Sequence, residues 1–312
     1  MSTTTALPCT ESTASAASLA PSLNRVGLLA RMLAFAELTK PRIAVLELVV
    51  VFVAAMICGS SPPAGWVLLN TLVGTALVAS SASAFNQLRE RHVDALMPRT
   101  STRPMPSGIV QPWEAVGFGA VLGLVGAVQL ALFVNLTVAL LGVLCWCLYV
   151  LIYTPLKQRS PANTVIGAIA GAIPALMGAA SASPLGLPAL ALFMVLYLWQ
   201  FPHFMAIAWL YRDDYAAGGM KMLTVVDRSG RRAANQSLAG ALAIIPISWV
   251  PLLGVPAGNL YLLGATALGV AQAAFAFHFF ARRDDNSARW LLRASLVYLP
   301  AVLILLLLGP IL

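Results

Sequence analysis

The chain has 312 residues, of which 60% are hydrophobic and 10% charged, with a mean hydropathy of +0.85. A soluble domain carries about 25% charged residues and a membrane-spanning helix needs about 20 apolar ones, so a water-soluble globule and a large domain outside the bilayer are both excluded. The formal charge is +8, but none of the 19 Lys and Arg residues lies in a soluble basic block, which excludes a nucleic-acid partner.

Residues 1–24 are rich in Ser, Thr and Ala, include Glu11, and lack the charged start and apolar stretch of a secretory signal. They are expected to form a disordered tail. Residues 25–42 follow as an interfacial amphipathic segment, with Leu28, Leu29, Met32, Leu33 and Phe35 set among Arg31 and Glu37. Long apolar runs then predict an all-α polytopic membrane protein whose single domain, 43–312, holds nine spans: 43–60, 66–85, 113–134, 137–155, 163–182, 187–210, 236–256, 259–281 and 290–310. Paired small residues (Gly119 with Gly123, Gly167 with Gly171) suit closely packed helices. Cys9, Cys58, Cys145 and Cys147 form no CxxC pair and read as plain apolar residues.

On this count every Lys and Arg falls before the first span or after the second, fourth, sixth or eighth. A missed or added span would break that parity. The positive-inside rule therefore places the N-terminus inside and the C-terminus outside.

Chemistry concentrates at the same end. The second span runs into Asn86, Glu90 and Asp94 at i, i+4 and i+8, one face of a continuing helix. Carboxylate and carbonyl oxygens suit a hard cation such as Mg2+, which completes its shell with water and substrate phosphates. Arg99 and Arg103 follow, with guanidinium geometry for phosphate oxygens, and Lys157 after the fourth span adds a third cation. The sixth span ends at Asp213 and Asp214 in the same compartment. Two carboxylate-bearing helix ends among cations suit a metal-bridged polyphosphate. Within that span lie Trp199, Gln200 and His203, with His203 ten residues, about 15 Å, from Asp213. An imidazole there is either a functional ligand or a hydrogen-bonded packing residue. Glu47, inside the first span, is either a site acid or a side chain reaching the inner interface; His92 and His278 read as interfacial.

Four motifs in order carry a resemblance: Asn86-Gln-x-x-Glu90-x-x-x-Asp94-x-x-Met97-x-Arg99-Thr100-x-x-Arg103-Pro104; Tyr153-Thr154-Pro155-Leu156-Lys157; Gly171-Ala-Ile-Pro174; and Trp199-Gln-x-Pro-His203-Phe. From Leu38-Thr39-Lys40-Pro41-Arg42 to about Val226 the chain resembles the protohaem IX farnesyltransferases, a family of the intramembrane UbiA-type prenyltransferase superfamily. The resemblance implies a nine-helix bundle around a central cavity. It implies Mg2+ held by Asn86, Glu90, Asp94, Asp213 and Asp214, although the wider DxxxD pattern is absent because Ala217 and Gly218 stand four residues on. It further implies that Arg99, Arg103, Lys157, Lys40 and Arg42 bind diphosphate, and that His203, Trp199 and Gln200 contact haem. The implied reaction joins the farnesyl group of farnesyl diphosphate, with water, to a vinyl group of haem B, giving haem O. The implied setting is a bacterial inner membrane with the acidic motifs cytoplasmic, and a haem-handover partner in the bilayer. A quinone precursor or chlorin is the alternative acceptor. A transporter would show charges in the middle of several spans, and here they cluster at one face.

Overall fold

The computed structural model describes residues 27–253 and 258–309; the tail expected over 1–24, Cys9, and the extreme ends of the seventh and ninth expected spans lie outside them. Among the described residues the only regular secondary structure is helical: α1 (Leu28–Leu38), α2 (Pro41–Ile57), α3 (Gly65–Asp94), α4 (Pro112–Phe133), α5 (Leu136–Cys147), a π-helical turn (Leu148–Tyr153) running into α6 (Thr154–Leu156), α7 (Asn163–Ala182), α8 (Leu187–Leu210), α9 (Arg212–Ala217), α10 (Leu223–Val226), α11 (Arg231–Ile247), a 3-10 turn (Val250–Leu253), α12 (Asn259–Arg282) and α13 (Asp285–Leu308). Each expected span falls on one of these helices. Seven of them, counting Leu136–Leu156 as one, are long and apolar enough to cross a membrane, and the protein is a multi-pass membrane protein. The other two positions are taken by α2 and α11, of 17 residues each.

Local chemistry sets the boundaries. Proline opens α2, α4 and α8, where its missing N–H is not needed. Asn135 caps α5 by accepting the Val138 amide at 2.9 Å, and Asp284 accepts the Ser287 amide at 2.7 Å to start α13. The 30 residues of α3 extend about 45 Å, longer than a hydrocarbon core of about 30 Å, so its last turns carry Asn86 to Asp94 past the apolar layer.

The helices pack as neighbouring pairs: α2 with α7, α3 with α4, α8 with α7, α11 and α13, and α12 with α11 and α13. A central cluster joins Val50 and Ala54 of α2 to Leu192, Leu196 and Trp199 of α8 and to Tyr298 and Val302 of α13. Leu124, Leu132 and Leu263 face outward, as lipid-facing residues should. In lipid, close approach rather than the hydrophobic effect holds helices together. Gly178 shows this, because a Cβ there would land on the Val51 carbonyl oxygen, a backbone atom that cannot yield. Gly178→Ala is expected to cost about 2 kcal/mol, read as a lower melting temperature of the detergent-solubilised protein. Gly65→Ala, with nothing within 4 Å, is the control, and equal melting of the two variants would contradict this α2–α7 contact.

Contacts draw the basic segments together at one end. Arg103 meets Asp94, Arg99 meets Asp214, Lys157 meets Glu90 and Arg212 meets Asp285. The Lys221 amide donates to the Lys157 carbonyl at 2.6 Å, tying the segment after α9 to the end of α6.

Candidate active site

The end of α3 is buried although it is polar: Asn86, Glu90 and Asp94 expose 0%, 4% and 1% of their surface. An unpaired charge there would be costly, and each group has a partner. The Glu90 carboxylate faces Lys157 Nζ at 2.9 Å, and Asp94 Oδ2 accepts from Arg103 at 2.8 Å. Asn86 Oδ1 accepts from Lys40 Nζ at 2.7 Å while its amide donates to Thr154 Oγ1 at 3.1 Å. Thr100 Oγ1 donates to the Asp94 carbonyl, fixing the loop that carries Arg99 and Arg103. Arg99 lies 3.8 Å from Asp214 and over the Tyr211 ring at 4.9 Å.

Lys40 occupies the left-handed region, with φ 51° and ψ 59°, directly before Pro41. That conformation costs a non-glycine residue about 1–2 kcal/mol and persists only where its surroundings fix it. Gln87 is one fixing element, donating to the carbonyls of Glu37 and Leu38 at 3.2 Å each. Burial and the neighbouring Lys157 lower the Lys40 ammonium to about 8. Burial alone would lower Lys157 as well, but the Glu90 carboxylate, with Tyr153 and Tyr149, outweighs it and holds Lys157 well above the ordinary lysine range.

The π-helical turn directs two aromatic rings below this cluster. Lys157 Nζ sits 4.6 Å from the Tyr153 ring centre, and the Tyr149 ring lies 5.3 Å beyond. Thr154 Oγ1 donates to the Tyr149 carbonyl at 2.8 Å, back across the widened turn. Gly167 makes room for Tyr153, since a Cβ there would lie 2.7 Å from its ring. Such π turns recur at functional sites because they re-aim side chains.

Deeper in α8, His203 stacks on Trp199 with ring centres 4.7 Å apart, and its Nδ1 is 2.9 Å from Ser295 Oγ. With the Ser295 hydroxyl proton on the Leu292 carbonyl at 2.7 Å, its oxygen accepts from His203 Nδ1–H, and in that tautomer the Nε2 lone pair is available. Trp199 donates to the Ser295 carbonyl at 2.7 Å and completes the bracket. Gln200 is placed differently: it donates to the Ala168 carbonyl at 2.9 Å and packs over Gly171, clamping α8 to α7.

The expected site residues are thus partly gathered. Asn86 with Lys40, Glu90 with Lys157, Asp94 with Arg103 and Arg99 with Asp214 pair around the end of α3, whereas Asp213 and Arg42 are exposed. Among the described residues no three His, Cys, Asp or Glu side chains converge closely enough to hold a metal ion by themselves. The cluster nonetheless fits a hard cation that shares its shell with phosphate, because Asp94 Oδ1 is buried without a hydrogen-bond partner and every donor present is oxygen. The sequence reading missed Tyr149, Ser295 and Gln87 as site elements. Only Gln87, on the motif face with Asp94, carried a local signal.

The UbiA prenyltransferase family matches residues 48–305. The chain is 43% identical over 280 residues to the protohaem IX farnesyltransferase of Rhodopirellula baltica, covering 86% of this chain and 96% of that one. It is 41% identical over 279 residues to the protohaem IX farnesyltransferase of Solibacter usitatus, covering 86% and 95%. Its fold is shared by a UbiA homologue from Archaeoglobus fulgidus solved with DMAPP and Mg2+, at a TM-score of 0.66 and 16% identity, over 87% of this chain and 98% of that one. The chain therefore belongs to the UbiA prenyltransferase family, among the protohaem IX farnesyltransferases.

Proposed function

We propose that the protein transfers the farnesyl group of farnesyl diphosphate, with addition of water, to a vinyl group of haem B, giving haem O and diphosphate. The observation that carries this reading is a cluster of buried acids and cations at one end of an apolar bundle, with a bracketed histidine deeper inside a relative of haem-farnesylating enzymes. Lys157, Arg99 and Arg103 bind the diphosphate oxygens, and Lys40 holds Asn86 in register. Glu90 and Asp94, with Asn86 and Asp214, would hold Mg2+, which when bound would neutralise charge on the leaving diphosphate; a UbiA homologue of the same fold has been solved with DMAPP and Mg2+ bound. Tyr153 and Tyr149 wall the farnesyl carbon as it becomes cation-like, and their π faces stabilise that charge. A tail arriving from lipid gains almost no hydrophobic free energy, so cavity shape selects its length.

His203 presents Nε2 to the haem iron, oriented by Ser295 and Trp199. His203→Ala is expected to abolish the absorbance shift of bound haem, and Ser295→Ala to weaken haem binding about 10-fold, the usual effect of losing a ligand's hydrogen-bond partner. An unchanged spectrum and affinity in both variants would contradict that role.

The positive-inside pattern places the basic end in the cytoplasm of a bacterial inner membrane, with the C-terminus periplasmic. α1 lies along that interface, where Leu28 and Leu29 are 78% and 71% exposed. Haem O leaves by way of a membrane partner that accepts it. The test of this reading offers farnesyl diphosphate to the solubilised protein with haem B and an aromatic quinone precursor in competition. Farnesylated haem alone, lost on chelation and restored by Mg2+, is expected; prenylation of the quinone precursor instead would move the acceptor.

A further inference from the structure

α2 has an inverted polarity for a membrane helix. Ile43, Val45, Leu46, Val49 and Phe52 face outward, while its one carboxylate, Glu47, shares the inward face with Val50 and Val51, which are 3% and 0% exposed. Glu47 stands two turns into α2, about 10 Å of helix rise beyond Lys40 and the polar cluster. It has no ion-pair partner among the described residues. Below it the helix closes, with Val51 against Gly178 of α7 and Val50 in the cluster that includes Leu196 and Trp199 of α8. The same helix α7 receives α5 and the π-helical turn: Cys145 donates to the Ala170 carbonyl at 3.3 Å, and the turn that carries Tyr149 packs on α7 as α2 does. Tyr149 is the lower ring of the column that descends from Lys157 through Tyr153.

Glu47 thus faces the bundle interior below the diphosphate cluster, on the helix that packs against α7 as the ring-bearing turn does. An isolated carboxyl turned inward at that depth is costly to keep and by default marks function. The reaction has an unfilled role at this place. We infer that Glu47 is the base that directs the water-addition step, an inference that rests on the haem-farnesylating reading above. When the carbon–oxygen bond of farnesyl diphosphate breaks, its electron pair leaves with diphosphate, and the terminal vinyl carbon bonds the farnesyl carbon. The inner vinyl carbon is then cationic. Water oxygen bonds to it, one water O–H bond breaks, and that proton passes to the Glu47 carboxylate, which later releases it to the departing diphosphate. Without the base, the same cation is quenched by losing a proton from the adjacent carbon, giving an alkene.

The product therefore reports on Glu47 in a way that folding does not. Wild type, Glu47→Gln and Glu47→Asp are each incubated with haem B, farnesyl diphosphate and Mg2+, and the extracted haems are weighed by mass spectrometry. Wild type is expected to give hydrated product. Glu47→Gln is expected to shift at least half of its product to the farnesylated species lighter by one water, and Glu47→Asp to restore hydration. A hydrated fraction in Glu47→Gln equal to wild type, at any rate of turnover, would overturn the inference. So would a Glu47→Gln protein that binds haem but forms no farnesylated haem of either kind, because the residue would then act before water. Absence of any haem product from wild type would instead remove the reading on which the inference rests.

Discussion

Asp94→Asn is expected to lower turnover about 10³-fold while leaving the protein folded, the upper range for loss of one preorganised electrostatic group. The substitution is nearly isosteric. The remaining carbonyl oxygen can still accept from Arg103, whose side chain is 24% exposed and keeps access to water, so the loop after α3 retains its anchor. What disappears is the negative charge and the buried oxygen Oδ1, which has no protein partner and is available to a cation. The check is single-turnover farnesyl transfer in detergent alongside a size-exclusion profile. Near-normal turnover by a well-folded Asp94→Asn protein would contradict the assignment of this face of α3 to metal and diphosphate.

Lys157→Gln is expected to lower kcat/KM about 10²-fold, with most of the change in KM for farnesyl diphosphate. The ammonium is pinned between Glu90 at 2.9 Å and the Tyr153 ring at 4.6 Å, so it is aimed rather than merely nearby. Removing it takes one charge from the diphosphate and leaves the Glu90 carboxylate buried without its counterion. Because the two residues act as a unit, Lys157→Gln combined with Glu90→Gln is expected to fall well short of the product of the single effects. Arg159→Gln is the comparison: this cation is two residues on, exposed, and expected to leave the kinetics unchanged. Equal behaviour of the two single variants would show that the loop contributes only its general positive charge.

The end of α3 was legible in the sequence because its signal is local. Residues at i, i+4 and i+8 share a face on any helix, and the structure carries α3 through to Asp94 with all three buried. The positions of the spans were legible for the same reason, since apolar length decides them. Contacts between distant segments were not. Ser295 lies 92 residues from the histidine it orients, and nothing in its own surroundings in the chain marks it. The left-handed Lys40 and the π turn before Thr154 are backbone choices imposed by packing, which no periodicity records. Nor does the sequence distinguish Asp213 from Asp214, because the short helix α9 decides which of two adjacent carboxylates turns towards Arg99. Gln200 sits in the same motif as His203, yet one side chain clamps two helices and the other leaves a nitrogen free.

The most direct test of the account is the mass of haem recovered after membranes containing the protein are incubated with haem B, farnesyl diphosphate and Mg2+ in water enriched in heavy oxygen. The account predicts a species heavier than haem B by one farnesyl group and one water, with the heavy oxygen in the added hydroxyl. Unmodified haem from folded protein that binds farnesyl diphosphate would contradict it.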